Sequence, residues 1–350
     1  MERASELRPN LYGLSRDELA DALGPLAPER YRSRQLFRAL YRRDAWRVET
    51  WTDLSRELRE QIVNRFRCER PVIVSRHSSS DGATKHLLAL PRGGRVEAVA
   101  IPAEDRMTFC ISSQMGCAFG CTFCMTARLG FVRHLDAGEI VGQVAALAAE
   151  TGARHGRYNI VFMGMGEPLH NADNVLRAVR LLTDPEGFAV GPRRITVSTV
   201  GLPAGIERLG AERLRPRLAV SLVSADEQTR ARLMPVARAV SLEELARSVR
   251  RFGRGQRDRP TFEVVLLAGE NDRPSHARAL ATLARRARAK VNLIEFNPTP
   301  DLPYRPAPEP RVQMFLRVLR AAGVIGTVRR SRGGDIDAAC GQLAFTRQQA

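Results

Sequence analysis

The sequence predicts an α/β fold, a partial (β/α)6 barrel preceded by a small helical domain and a short β extension. Three observations carry this. Beyond Arg106, strand-like apolar runs at residues 107–111, 159–162, 195–198, 218–222, 262–267 and 291–296 alternate with helix-length segments. Upstream, over residues 71–101, the apolar period drops from about 3.6 to 2, which marks strands. The 350-residue chain, 44% hydrophobic and 27% charged, has the length and apolar content for a barrel-sized core plus an appendage. The same alternation also fits a doubly wound open sheet, which stands as the alternative.

Taken in order, Ser15 with Glu18 three residues later has the form of a capping box and opens a first helix. Ser33 opens a second over 34–41, and Asp53 a third. Residues 1–70 are thus expected as an N-terminal helical domain. In the β extension, 71–105, strands at 72–74, 84–90 and 96–101 are punctuated by Arg92-Gly93-Gly94-Arg95 as a hairpin turn. The barrel occupies 106–335, with a proline-rich loop at 298–310, and a tail follows at 336–350.

Charge narrows the class of partner. With 55 basic and 38 acidic residues the chain carries +17, a field that favours a polyanion such as nucleic acid. Only Lys85 and Lys290 are lysines, so a GC-rich coding bias toward arginine is the bland reading of the same number. Residues 30–47 interleave Arg30, Arg32, Arg34, Arg38, Arg42, Arg43 and Arg47 with Tyr31, Phe37, Tyr41 and Trp46 against one acid, Asp44. That pattern suits phosphate pairing and base stacking, or equally an aromatic core at helical spacing. Residues 278–290 form a second basic strip without an acid. No stretch approaches the ~18 apolar residues of a membrane span. Residues 1–19 lack the apolar segment of a secretory signal, so the expected compartment is the cytoplasm.

Six cysteines, in a chain this long and without a secretory signal, point to metal or redox chemistry rather than a disulfide scaffold. Cys117, Cys121 and Cys124 lie within eight residues, spaced C-x3-C-x2-C with Phe123 before the last. Three thiolates leave one iron of a [4Fe-4S] cluster open to a small molecule. Structural zinc would need a fourth ligand, which Cys110 or His134 could supply. In a parallel barrel the active site gathers where strands end. There the sequence sets the cysteine loop, then Gly164-Met165-Gly166-Glu167-Pro168, Ser198-Thr199-Val200-Gly201, Ser221-Leu222-Val223-Ser224 and Asn297-Pro298.

The cysteine run resembles that of the radical S-adenosylmethionine superfamily, and the 164–168 segment resembles its GGEP-type element. Further stretches resemble the RNA methyltransferases of the RlmN/Cfr family: residues 110–117, Gly130-Phe131-Val132-Arg133-His134-Leu135, 197–201, 297–300 and 332–343. The likeness runs over about residues 15–345 and is greater to the adenine carbon-2 enzymes than to the carbon-8 ones. Two positions depart from the family pattern: Val223 stands where histidine is usual, and Met125 where a small residue is usual.

The resemblance implies a radical SAM barrel that methylates adenine carbon 2 in 23S ribosomal RNA and in transfer RNA. It implies a [4Fe-4S] cluster on Cys117, Cys121 and Cys124, and two molecules of S-adenosylmethionine per turnover. Gly166 and Glu167 would fix the cofactor's amino group. Ser198, Ser221, Leu222, Val223 and Asn297 would hold its ribose, adenine and carboxylate. By the same resemblance Cys340 carries the methyl group as S-methylcysteine and, after hydrogen loss to a deoxyadenosyl radical, adds to the ring. Glu97 takes the ring proton, and Cys110 releases the product through a transient disulfide with Cys340. The electron donor would be external, of the flavodoxin or ferredoxin kind, and the enzyme a monomer. Without their context Cys340 and Cys68 read as small buried hydrophobes, and Glu97 as a solvated strand residue. The competing functions are carbon-8 methylation, the same chemistry on another RNA, and a non-enzymatic zinc-stabilised RNA-binding protein.

Overall fold

A computed structural model describes residues 8–42, 47–104, 106–153 and 156–344. The chain opens with helices α1 (Arg16–Leu23), α2 (Arg30–Tyr41) and α3 (Arg56–Arg65). Ser15 and Glu18 form the expected capping box on α1. Helix α2 begins a turn earlier than the apolar pattern indicated, because its first turn is arginine-rich and buries little. Ser33 therefore lies inside it, its hydroxyl donating to the Arg30 carbonyl at 3.0 Å. Ser55, rather than Asp53, caps α3.

Two of the three aromatics of α2 settle as core. Phe37 and Tyr41 are buried, and the Tyr41 ring packs edge-on to Tyr12 and Phe37 and tilted against Phe188 of the barrel. The Tyr41 hydroxyl donates to the Leu14 carbonyl at 2.9 Å and accepts from Gly13 N at 2.8 Å. Gly13, at φ +106°, passes so close to the barrel that a Cβ there would sit 2.7 Å from Gly138 N. Of the basic strip, Arg34 and Arg38 pair with Glu186, as does Arg16. Tyr31 stays exposed beneath the Arg32 guanidinium. Arg43, Asp44 and Trp46 lie outside the described residues.

Strands β1 (Val72–Ser78), β2 (Thr84–Ala89) and β3 (Arg95–Ala103) form an antiparallel meander, with Gly93 and Gly94 at φ +79° and +80° making the β2–β3 turn. Strand β3 runs antiparallel to β4 (Arg106–Cys110), and from there the sheet is parallel. A separate hairpin, β5 (Gln114–Gly116) with β6 (Phe131–His134), brackets the cysteine loop and the one-turn helix α4 (Met125–Arg128). The parallel order continues as β7 (Tyr158–Phe162), β8 (Ile195–Thr199), β9 (Arg217–Ser221), β10 (Thr261–Leu266), β11 (Lys290–Glu295) and β12 (Gly326–Arg329). The intervening helices are α5 (Ala137–Thr151), α6 (Ala172–Thr183), α7 (Pro203–Ala211), α8 (Glu227–Leu233), α9 (Leu242–Phe252), α10 (Pro274–Ala287) and α11 (Glu309–Ala321).

Parallel strands follow one another in sequence order with no reversal, which is a singly wound barrel and excludes the doubly wound sheet. The barrel is partial, with β1 and β12 at the edges of one ten-stranded sheet. Strand β12 is a seventh parallel strand that the apolar pattern did not reveal, being short and largely solvent-facing. Among the described residues no helix is long and apolar enough to cross a membrane.

Candidate active site

The mouth of the barrel, where parallel strands end, holds a cavity bordered by Cys117, Cys121, Cys124, Gly166, Glu167, Ser198, Ser221, Val223 and Cys340. The cysteine loop is anchored at its base by Cys117 N donating to the Gly130 carbonyl at 2.9 Å. Gly116, at φ +70°, permits this crossing, since a Cβ would lie 1.7 Å from that same oxygen. Farther along, Thr122 N bonds the Leu233 carbonyl at 3.0 Å, tying the loop to the end of α8.

The tail brings Cys340 to this mouth from far along the chain. Asp335 accepts from Ser79 Oγ at 2.5 Å and from Ser80 N at 3.0 Å, while Gly333 N donates to Asp81 at 2.8 Å. Met125 N, just past the last loop cysteine, donates to the Gly341 carbonyl at 2.8 Å. Cys340 borders a second, smaller cavity as well, which it shares with Cys110, Met163 and Arg329. Both outlying cysteines are free thiols in this structure.

Burial pushes the loop thiols up: Cys117 to about 11, Cys121 and Cys124 also upward, with the neighbouring cysteines adding to the rise at Cys117 and Cys121. Cys110 is pushed up to about 12 by burial and by Cys340, against the pull of Arg329. Thiols raised in this way must shed their protons to bind a soft metal centre. Three soft donors around one cavity are the donor set of a cluster.

Glu167 sits buried on the cavity wall, its carboxylate accepting from Leu169 N at 2.9 Å and Val200 N at 2.8 Å. Burial raises its pKa to about 7 despite those hydrogen bonds and one from Thr199. Glu97, on β3, is buried and not solvated: one oxygen meets Lys85 Nζ at 3.3 Å and the other has no partner. Burial raises it, with Lys85 opposing. It borders neither cavity but neighbours the tail, through Ala344 and Asp337.

Two expected cofactor contacts are not brought to the cavity. Leu222 is fully buried, and its N–H donates to the Glu263 carbonyl at 2.9 Å. The Asn297 amide is turned to Ser331 Oγ at 2.9 Å. Conversely, Glu263 does line the cavity, with one carboxylate oxygen buried and unpartnered. An acid inside the apolar run 262–267 was the signal for it. Arg329, held above its ordinary value chiefly by Cys340, was hidden among the many other arginines.

Val223 takes φ +63°, a conformation that costs a β-branched residue roughly 1–3 kcal/mol. Asn271 holds it there. Its amide donates to the Val223 and Val265 carbonyls, both at 2.8 Å, while its oxygen accepts from Leu267 N at 2.8 Å. Replacing Asn271 by Ala strands these buried groups, and a loss of about 2–4 kcal/mol is expected in denaturant unfolding. A loss below about 1 kcal/mol would show that the turn holds itself.

Comparison with known proteins agrees with this geometry. Residues 111–280 match the Radical SAM superfamily. The dual-specificity RNA methyltransferase RlmN of Syntrophobacter fumaroxidans is 46% identical over 93% of this chain and 95% of its own length. The probable dual-specificity RNA methyltransferase RlmN of Thermus thermophilus is 43% identical over 91% of this chain and 90% of its own. The crystal structure of a radical SAM methyltransferase from Sphaerobacter thermophilus superposes with a TM-score of 0.90 at 42% identity, covering 96% of this chain and 99% of that one. A cysteine loop at the mouth of a partial parallel barrel, in a chain this similar to these relatives along nearly its whole length, makes the protein a member of the RlmN family of radical SAM RNA methyltransferases.

Proposed function

We propose that this enzyme methylates carbon 2 of an adenine in 23S ribosomal RNA and in transfer RNA, with Cys340 as the methyl carrier. The observation that supports this most is the position of Cys340, which borders both the cavity of the three loop thiols and the smaller one holding Cys110. When bound, the [4Fe-4S] cluster and S-adenosylmethionine supply an electron, the methyl group and hydrogen-abstracting chemistry, with two cofactor molecules used per methyl group. Cys117, Cys121 and Cys124 hold the cluster. Gly166 and Glu167 receive the cofactor's ammonium group, and Ser198, Ser221 and Val223 face its remaining polar groups. Leu222 acts through the backbone that joins β9 to β10, and Asn297 is assigned no direct contact.

Adenine carbon 2 is not nucleophilic, so the methyl group needs a carrier rather than direct polar transfer. Cys340 accepts it on sulfur. Glu97, with one carboxylate oxygen unpaired, is suited to take the ring proton, while Lys85 favours its ionised form. Once the adduct has also given up one electron, returned to the cluster, the ring is joined to Cys340 through a methylene. The Cys110 thiolate then attacks the Cys340 sulfur, the methylene leaves with the carbon–sulfur electron pair and takes up a proton to become the methyl group, and a disulfide remains for external reduction. The electron donor in this reading is a flavodoxin or ferredoxin, and the enzyme acts on RNA in the cytoplasm as a monomer.

Mass spectrometry of ribosomal and transfer RNA from cells lacking and then regaining the gene tests the assignment. The expected product is 2-methyladenine that appears only with the gene. Methylation at carbon 8, or none in either RNA, would overturn it. Glu167 adds a pH test. Its carboxyl is neutral below about 7 and ionised above, so attraction to an ammonium group is lost on acidification. Affinity for S-adenosylmethionine is expected to rise about tenfold from pH 6 to pH 8 and then level off. Anaerobic calorimetry would read this, and Glu167→Gln should flatten the profile.

A further inference from the structure

At the opposite pole of the barrel, where β10, β11 and β12 begin, lies a groove of about 620 Å³. Its walls carry Arg250, Arg254, Arg257, Arg259, Arg285 and Arg288, with no acidic residue among its lining. All six are exposed, and none forms an ion pair with a carboxylate of the described residues. Their neighbours behave differently. Arg251 pairs with Glu207, and Arg193 and Arg217 both hold Asp258, at 2.7 and 3.2 Å. Those two arginines keep Asp258, the only acid of residues 250–260, down at about 2. Asp258 is thus already engaged and does not neutralise the groove.

Helix termini explain part of this cluster and leave part unexplained. Arg250 and Arg285 stand in the last turns of α9 and α10, where cations complement the helix dipole. Arg254, Arg257 and Arg259 lie on the loop after α9 and have no such partner. Gln256, on the same lining, has an amide NH2 with no acceptor. Like charges crowded without counter-charge repel one another, and guanidinium forks match phosphate oxygens in bidentate geometry. Six of them exceed what a single small anion requires.

We propose that this groove binds consecutive phosphates of the RNA backbone, as a contact surface separate from the catalytic mouth. The proposal rests on the RNA reading above and deepens it. The two poles lie about 20 Å apart along the six-residue strand β10, so an RNA touching both must pass along the flank of the barrel. These contacts are expected to add affinity and salt dependence without taking part in chemistry.

The test uses the cluster-loaded enzyme and an in vitro 23S ribosomal RNA transcript. Binding is measured from low to physiological salt for wild type and for Arg254→Gln/Arg257→Gln/Arg259→Gln. The triple variant is expected to bind about tenfold more weakly. Its log Kd against log salt slope should be reduced by about 2, at roughly 0.7–0.9 per lost phosphate contact. Thermal melting and RNA-independent cofactor cleavage should stay unchanged. Arg254→Lys/Arg257→Lys/Arg259→Lys should keep the wild-type slope, because lysine binds phosphate as a point charge. Wild-type affinity and slope in the glutamine variant would overturn the groove assignment alone. Absence of salt-dependent RNA binding by the wild-type enzyme would instead remove the RNA reading beneath it.

Discussion

Cys110→Ala is expected to perform one partial turnover and then hold its RNA covalently through Cys340, while Cys340→Ala forms neither adduct nor product. The two cysteines line the same small cavity, the placement that an attack of one sulfur on the other requires. They differ in surroundings. Cys110 ends β4 and is buried, pushed up to about 12, whereas Cys340 lies half-buried on the tail and reaches both cavities. Exposure suits the carrier, which must meet cofactor and RNA in turn. Burial suits the resolver, which must stay unreactive until the carrier is loaded. Denaturing gels of Cys110→Ala after reaction should show protein and RNA migrating as one species, in up to stoichiometric amount. If no such species forms while the wild type turns over, or if Cys340→Ala still yields methyladenine, the methyl-carrier assignment is wrong.

Replacing Cys117, Cys121 or Cys124 by Ala should bring reductive cofactor cleavage down to background. The three thiols are supplied by one short loop anchored through Gly130 and Leu233. Two thiolates hold a cubane poorly, so any one substitution removes the cluster. Iron and sulfide content after anaerobic reconstitution, with 5′-deoxyadenosine release, gives the readout. A single-cysteine variant that releases 5′-deoxyadenosine at the wild-type rate would refute the cluster assignment. A colourless, zinc-containing wild type would do the same.

Much of the barrel was legible because its signals are local. Apolar runs of strand length need only neighbouring residues to declare themselves, and six of the seven parallel strands did so. Strand β12 did not, since Gly326 and its solvent-facing neighbours carry no alternation, and only pairing to β11 makes them a strand. The same limit applies at the site. Ser15 and Glu18 announce a helix start from three residues apart, whereas Ser79 and Asp335 meet across a separation of 256 residues. Asn297 was expected at the cavity because it follows a strand; Ser331, from a distant segment, takes its amide instead.

The amino-acid order alone therefore determined the parallel α/β architecture, the three-thiol loop and the family to which the chain belongs. Each of these is written in short-range spacing and residue type. Only the folded chain decided the rest: that Phe37 and Tyr41 are core while their arginines partly pair with Glu186, and that Glu97 is buried with a free oxygen. It also decided that Glu263 faces the cavity, that Val223 is held left-handed by Asn271, and that six unpaired arginines converge at the far pole. Burial and pairing depend on which remote segments come to share a volume, and that is set by packing of the whole barrel rather than by any local pattern.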